Sequence, residues 1–217
     1  MFAFSSETEV RVYTFKPPMI FCQYRTAPNK YAPCDFIKYK EYYMVAMTGR
    51  EPGMLRIIQN NPTEYFDITI PAHSHPLSVI KFNSNGSLIA TASESGTLIQ
   101  LFDVKSEQLI AKFRRGKLPA AIMCIAFSYE SEFLAVASAK GTVHIFELSS
   151  LSAVDQNTAT RAEMKIEFPG ETIVAMEFMS RNMIYVAFKN GDLKQIKFNE
   201  ANKTVTIEKN DSLVGMF

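Results

Sequence analysis

Long apolar runs are missing from this sequence. The longest, Ala120 to Phe127, is eight residues, whereas a membrane-spanning helix needs about 20. Any membrane association is therefore expected to be peripheral. An excess of charge is missing too. Lys+Arg is 23 and Asp+Glu is 22, a net charge of +1 over 217 residues. That argues against a histone-like or tail-type nucleic-acid binder, so an anion site would have to be a local cluster. Cysteine is scarce. Cys22, Cys34 and Cys124 are odd in number and widely spaced, which points to a reduced cytosolic chain rather than a disulfide framework. The N-terminal Met1–Glu7 stretch has no basic region and no long apolar core, so a signal peptide is not expected.

Histidine is limited to His73, His75 and His144. There is no Gly-x-Gly-x-x-Gly, no Gly-x-x-x-x-Gly-Lys-Ser/Thr, no Gly-x-Ser-x-Gly and no His-Glu-x-x-His, so neither an enzyme nor a cofactor is expected. His73-Ser-His75 could place two imidazoles on one strand face. No Cys or acidic partner stands at ligand spacing, so the pair reads as a loop entering a strand unit rather than a metal site.

Helical periodicity is nearly absent as well. What is present is a succession of short apolar or alternating runs separated by turns. Leu77–Phe82 is followed by Asn83-Ser84-Asn85-Gly86, then Leu88–Ser93, then Ser95-Gly96, then Thr97–Asp103. Such runs read as antiparallel strands joined by hairpins, and the fold class is all-β. The pattern also repeats. Leu88–Thr97 resembles Phe133–Thr142 at an offset of 45 residues, and weaker copies lie at Met183–Asp192 and Tyr43–Thr48. Four strand signals in about 40–45 residues are the signature of a β-propeller blade. A lone four-stranded blade cannot bury both faces, and blades stacked around an axis can.

The expected layout is one propeller domain over residues 1–217. Its blades are four-stranded and antiparallel, at ~34–72, ~77–115, ~121–168 and ~172–214, with a half blade at ~8–25. That is about four and a half blades, so either residues 1–25 complete a ring with the C-terminus or the chain is the C-terminal part of a longer propeller. An open ring exposes apolar blade faces and strand edges.

One segment concentrates positive charge. Lys105–Lys117 holds Lys105, Lys112, Arg114, Arg115 and Lys117 against Glu107. In an extended chain successive side chains point to opposite faces, so Arg114 and Arg115 would serve two separate pockets. Each guanidinium fork suits phosphate oxygens.

Phe113-Arg114-Arg115-Gly116, flanked by Ala90–Thr97 and Ala137–Phe146, resembles the motif of the PROPPIN family. The resemblance implies a seven-bladed phosphoinositide-binding propeller of autophagy, here lacking its first two to three blades. It also implies two headgroup sites. Site one would comprise Ser93, Thr97, Gln100 and Arg114; site two would comprise Arg115, Ser138, Lys140, Thr142 and His144. Gln100 stands where the family usually has arginine, so site two is expected to be the stronger. The family's membrane-dipping loop corresponds to roughly residues 149–161, with only Leu148, Leu151 and Val154 as membrane-contact residues. His144, if it lines site two, would titrate near the ordinary value of about 6.5.

The implied function is a peripheral adaptor recognising phosphatidylinositol 3-phosphate or the 3,5-bisphosphate. It would act with autophagy proteins on autophagosome-precursor, endosomal or vacuolar membranes. The alternative is a protein-interaction scaffold with weak or no lipid binding. RNA binding is disfavoured because the basic segment is short and lacks interleaved aromatics.

Overall fold

The computed structural model describes residues 1–39, 42–60, 64–149 and 158–212. These form strands and turns, with no helix among them. Five sheets follow one another along the chain. The first contains β1 (Phe2–Ser5), β2 (Glu9–Phe15) and β3 (Pro18–Arg25). The second contains β4 (Cys34–Tyr39), β5 (Tyr42–Thr48), β6 (Met54–Asn60) and β7 (Tyr65–Pro71). The third contains β8 (Leu77–Phe82), β9 (Leu88–Ser93), β10 (Leu98–Asp103) and β11 (Leu109–Arg114).

The fourth sheet contains β12 (Ile122–Phe127), β13 (Phe133–Ser138), β14 (Thr142–Glu147) and β16 (Met164–Glu167). Between β14 and β16 the chain leaves this sheet. A short β15 (Ala159–Arg161) pairs in parallel with β11 and widens the third sheet to five strands. The fifth sheet contains β17 (Ile173–Ser180), β18 (Met183–Phe188), β19 (Asp192–Asn199) and β20 (Thr204–Ser212). Apart from β15, every pairing is a sequential antiparallel one.

Burial explains the repeated sequence blocks. The second strand of the second, third and fourth sheets is covered on both faces, so β13 is buried throughout and β5 and β9 nearly so, while β18 of the fifth sheet alternates between buried and half-buried residues. Strands covered on both faces read as continuous apolar runs rather than alternations. Alanines at 90, 92, 135 and 137 keep these surfaces small, and larger residues from the adjacent sheet fill the space. Phe113 and Phe146 meet at 4.9 Å between the third and fourth sheets. Phe133 and Phe198 meet at 5.0 Å between the fourth and fifth. Each fully buried phenylalanine contributes roughly 1.5–3 kcal/mol from area removed from water. The outer β7 alternates between exposed and covered residues, as a half-buried strand should.

Adjacent sheets are also joined by backbone. Gly96, in the β9–β10 turn, has φ +58, and a Cβ there would lie 1.8 Å from the Ala120 carbonyl oxygen. Gly141, in the β13–β14 turn, has φ +70, and its Cβ would lie 2.3 Å from the Phe168 oxygen. Each turn is thus pressed against the connector leading to the next sheet. Amide bonds complete the clamp: Arg115 N donates to Thr97 O at 3.0 Å, and Phe168 N to Gly141 O at 2.7 Å.

The same clamp identifies the place of the first sheet. Thr26 N donates to Thr8 O and Asn29 N to Glu7 O, so the β1–β2 turn occupies the position of a second-to-third-strand hairpin. Residues 1–25 hold three strands, not the two expected, because Phe2–Ser5 pairs with Val10–Tyr13. β3 stands outermost and β1 stands second. Among the described residues, none pairs with the free edge of β1. The face of this sheet turned away from the second sheet carries Phe2 stacked on Tyr13 at 5.2 Å and Phe15 close by.

Candidate functional site

Arg114 closes β11, and strand alternation fixes its direction. Gln100 pairs with Thr91 and Lys112, and Leu98 pairs with Arg114. These residues share one sheet face with Ile89 and Phe102, which pack on the second sheet. Arg114 therefore belongs to the face that looks back to the second sheet, and Ser93 ends β9 on the same face. Ser93 is buried, and its Oγ lies 3.1 Å from Ser95 Oγ. Thr97 sits in the turn and is half-buried. The amide of Gln100 is already used, donating to the Ala72 carbonyl at 2.5 Å. His73 Nε2 is 3.0 Å from Thr91 Oγ1. Burial holds the His73 imidazole down to about 4, so it is neutral. Both His73 and His75 lie in the connector entering β8, and among the described residues no cluster of three metal-ligating side chains occurs.

Arg115 takes the other direction. Its Nε donates to Gly96 O at 2.9 Å, and its Nη2 to Leu118 O at 2.7 Å and Ala120 O at 3.3 Å. These partners are neutral carbonyls, so the positive charge is held in place without being cancelled. Burial lowers the Arg115 pKa, which marks the charge as costly where it stands.

Facing it is the fourth sheet. Ser138 pairs with Thr142, and His144 with both Val136 and Lys165. Val136 packs toward the third sheet, so Ser138, Thr142 and His144 line that same cleft. Burial, then the positive charges of Arg115 and Lys165, push His144 down to about 4. The expectation of titration near 6.5 is therefore corrected for the free protein. Ser138 is 1% exposed, and its Oγ has no hydrogen-bond partner. A buried hydroxyl without a partner costs roughly 1–3 kcal/mol, and an anion beside Arg115 would supply the acceptor. Lys140 lies exposed at the β13–β14 turn above this cleft.

Sequence reasoning does not reach Lys165, which stands beside His144 only because β16 pairs with β14. His73 lies in a connector as expected, but its burial against Thr91 is a property of the packed structure. The membrane-contact residues fare differently. Leu148 is 8% exposed and packs in the core between the third and fourth sheets, so it is not on the loop surface. Leu151 and Val154 lie outside the described residues. The three cysteines are unpaired, and burial raises Cys124 to about 12, which makes it an inert thiol.

With this geometry in hand, comparison with known proteins places the chain. The sequence model of the PROPPIN family matches residues 36–205. Autophagy-related protein 18 of Yarrowia lipolytica is 34% identical over 177 residues, which cover 70% of this chain and 44% of that protein. WD repeat domain phosphoinositide-interacting protein 1 of Xenopus laevis is 42% identical over 137 residues, covering 62% of this chain and 31% of that protein. The chain thus spans less than half the length of these relatives.

Among solved structures, Kluyveromyces lactis Hsv2 superposes with a TM-score of 0.79 at 17% identity, covering 98% of this chain and 73% of that one. A complex of KlAtg21 with the coiled coil of AgAtg16 gives 0.73 at 19% identity, covering 97% and 67%. These likenesses establish the β-propeller fold. By its matched family model and its architecture, the chain belongs to the PROPPIN family.

Proposed function

We propose that this chain is a non-enzymatic, phosphoinositide-binding adaptor acting in autophagy or endosomal membrane traffic. It recognises phosphatidylinositol 3-phosphate or the 3,5-bisphosphate on the cytosolic face of membranes. The observation that carries this reading is the pair Arg114–Arg115, turned to two sheet faces, with the unpartnered Ser138 hydroxyl in the cleft that Arg115 serves. Thr142 and His144 supply further polar groups at site two, and Ser93 and Thr97 do so at site one. The printed name of the Xenopus relative describes phosphoinositide interaction.

On an anionic leaflet each nearby basic residue adds about 1 kcal/mol, and two sites on one rim add avidity. Co-sedimentation with vesicles containing phosphatidylinositol 3-phosphate tests the proposal. Binding by the 217-residue chain should be lost in Arg114→Thr/Arg115→Thr, and unchanged binding in that variant would refute it.

A second, compatible reading is a scaffold for coiled-coil autophagy proteins. It is favoured by the fold shared with the KlAtg21 complex and by the engagement of Gln100 within the protein. Recovery of such partners by Arg114→Thr/Arg115→Thr would support it.

A further inference from the structure

Site one, as drawn above, holds one guanidinium, and its amide is spent on a carbonyl. The strand that crosses from the fourth sheet brings a second. β15 lies along β11 residue for residue: Lys112 with Ala159, Phe113 with Thr160, Arg114 with Arg161. Register partners point to the same face, and neighbouring strands are about 4.8 Å apart. Arg161 therefore stands beside Arg114, with Lys112 one pleat away.

Among the described residues neither arginine has a carboxylate partner. Like charges side by side on a sheet repel, and here no carboxylate among the described residues cancels them. The strand that carries Arg161 is only three residues long, so its backbone pairing is weak support against that repulsion. A phosphate monoester brings close to two negative charges and three acceptor oxygens, enough to engage both forks at once.

We propose that Arg161 is the second guanidinium of site one. A phosphate monoester is clamped between Arg114 and Arg161, and its binding locks β15 onto the rim of the third sheet. The inference deepens the membrane reading and rests on it for the source of the phosphate. Site one then draws on the loop that follows β14, so a single ligand ties the third sheet to the fourth.

The test uses the full chain in an Arg115→Thr background, which silences site two. The probe is phosphatidylcholine vesicles with and without phosphatidylinositol 3-phosphate. The remaining lipid-specific binding should weaken roughly tenfold or more on Arg161→Gln, as expected for a charge-assisted pair. It should recover in part on Arg161→Lys. Hydrogen exchange at Ala159–Arg161 in the unsubstituted chain should slow when lipid or inorganic phosphate is added, a readout that does not depend on the variant folding. Unchanged binding in Arg161→Gln, with exchange at β15 indifferent to both probes, would overturn the proposal. If the unsubstituted chain ignores the vesicles, the membrane reading fails by itself. Slower exchange with inorganic phosphate would then uphold the clamp as a soluble-phosphate site, and no slowing would sink it as well.

Discussion

His73 offers the sharpest test of the electrostatics at the edge of site one. Burial holds its folded-state pKa at about 4, and in the unfolded chain it returns to about 6.5. The unfolded state therefore binds the proton more readily throughout the window from pH 6.5 down to 4. Stability that is fully present above pH 6.5 is lost as the pH falls toward 4. Integrating those two values between pH 7 and pH 5 gives a loss of about 2 kcal/mol from this one residue.

Asp35 works in the opposite sense, because burial raises its pKa. Comparison with a variant removes that background. His73→Gln keeps a hydrogen-bonding group beside Thr91 Oγ1 and abolishes the titration. Urea unfolding at pH 7 and pH 5 is the assay. With an m-value of about 2.5 kcal/mol/M, the wild-type midpoint should fall by about 0.8 M more than that of His73→Gln. Equal shifts in the two proteins would refute the claim that His73 is held neutral by burial.

Two further outcomes are expected. Gly96→Ala should destabilise the fold more than Gly170→Ala in thermal unfolding. Both glycines have positive φ, at a cost of roughly 1–2 kcal/mol for alanine, but only at Gly96 would the Cβ meet a backbone oxygen; equal losses would show that the turn–connector contact is soft. At site two, a phosphate should draw His144 from about 4 back toward its ordinary value. Vesicle affinity should then rise about tenfold between pH 7.5 and 5.5, and more steeply than in His144→Asn; a profile identical to that variant's would remove His144 from the site.

The fold was readable because its determinants are local. Leu88–Ser93 and Phe133–Ser138 announce doubly covered strands through small and β-branched residues, and Gly96 and Gly141 mark turns that only glycine fits comfortably. The opposite directions of Arg114 and Arg115 follow from the two-residue period of a strand. What stayed hidden depends on contacts between distant segments. The pairing of Arg161 with Arg114 spans 47 positions and is parallel, with no turn to fix its register. Lys165 reaches His144 through a strand pairing that no local motif encodes. The engagement of Gln100 with the Ala72 carbonyl, and the solitary hydroxyl of Ser138, are properties of the packed cleft. Leu148 was misread for the same reason: a leucine at a loop edge looks identical in sequence whether it meets lipid or the neighbouring sheet.

The clamp between each hairpin turn and the following connector is made of main-chain atoms. The residues proposed to face a ligand there, Thr97, Arg115, Lys140 and Thr142, ride on that clamp, and of their side chains only that of Arg115 bonds to it. Apart from Arg115, whose side chain also ties the turn to the connector, these side chains and the joints between sheets are thereby uncoupled. Thr97, Lys140 and Thr142 can be exchanged to suit a different ligand while the joints stay as they are, and a change at Gly96 or Gly141 strains the joint whatever the rim displays.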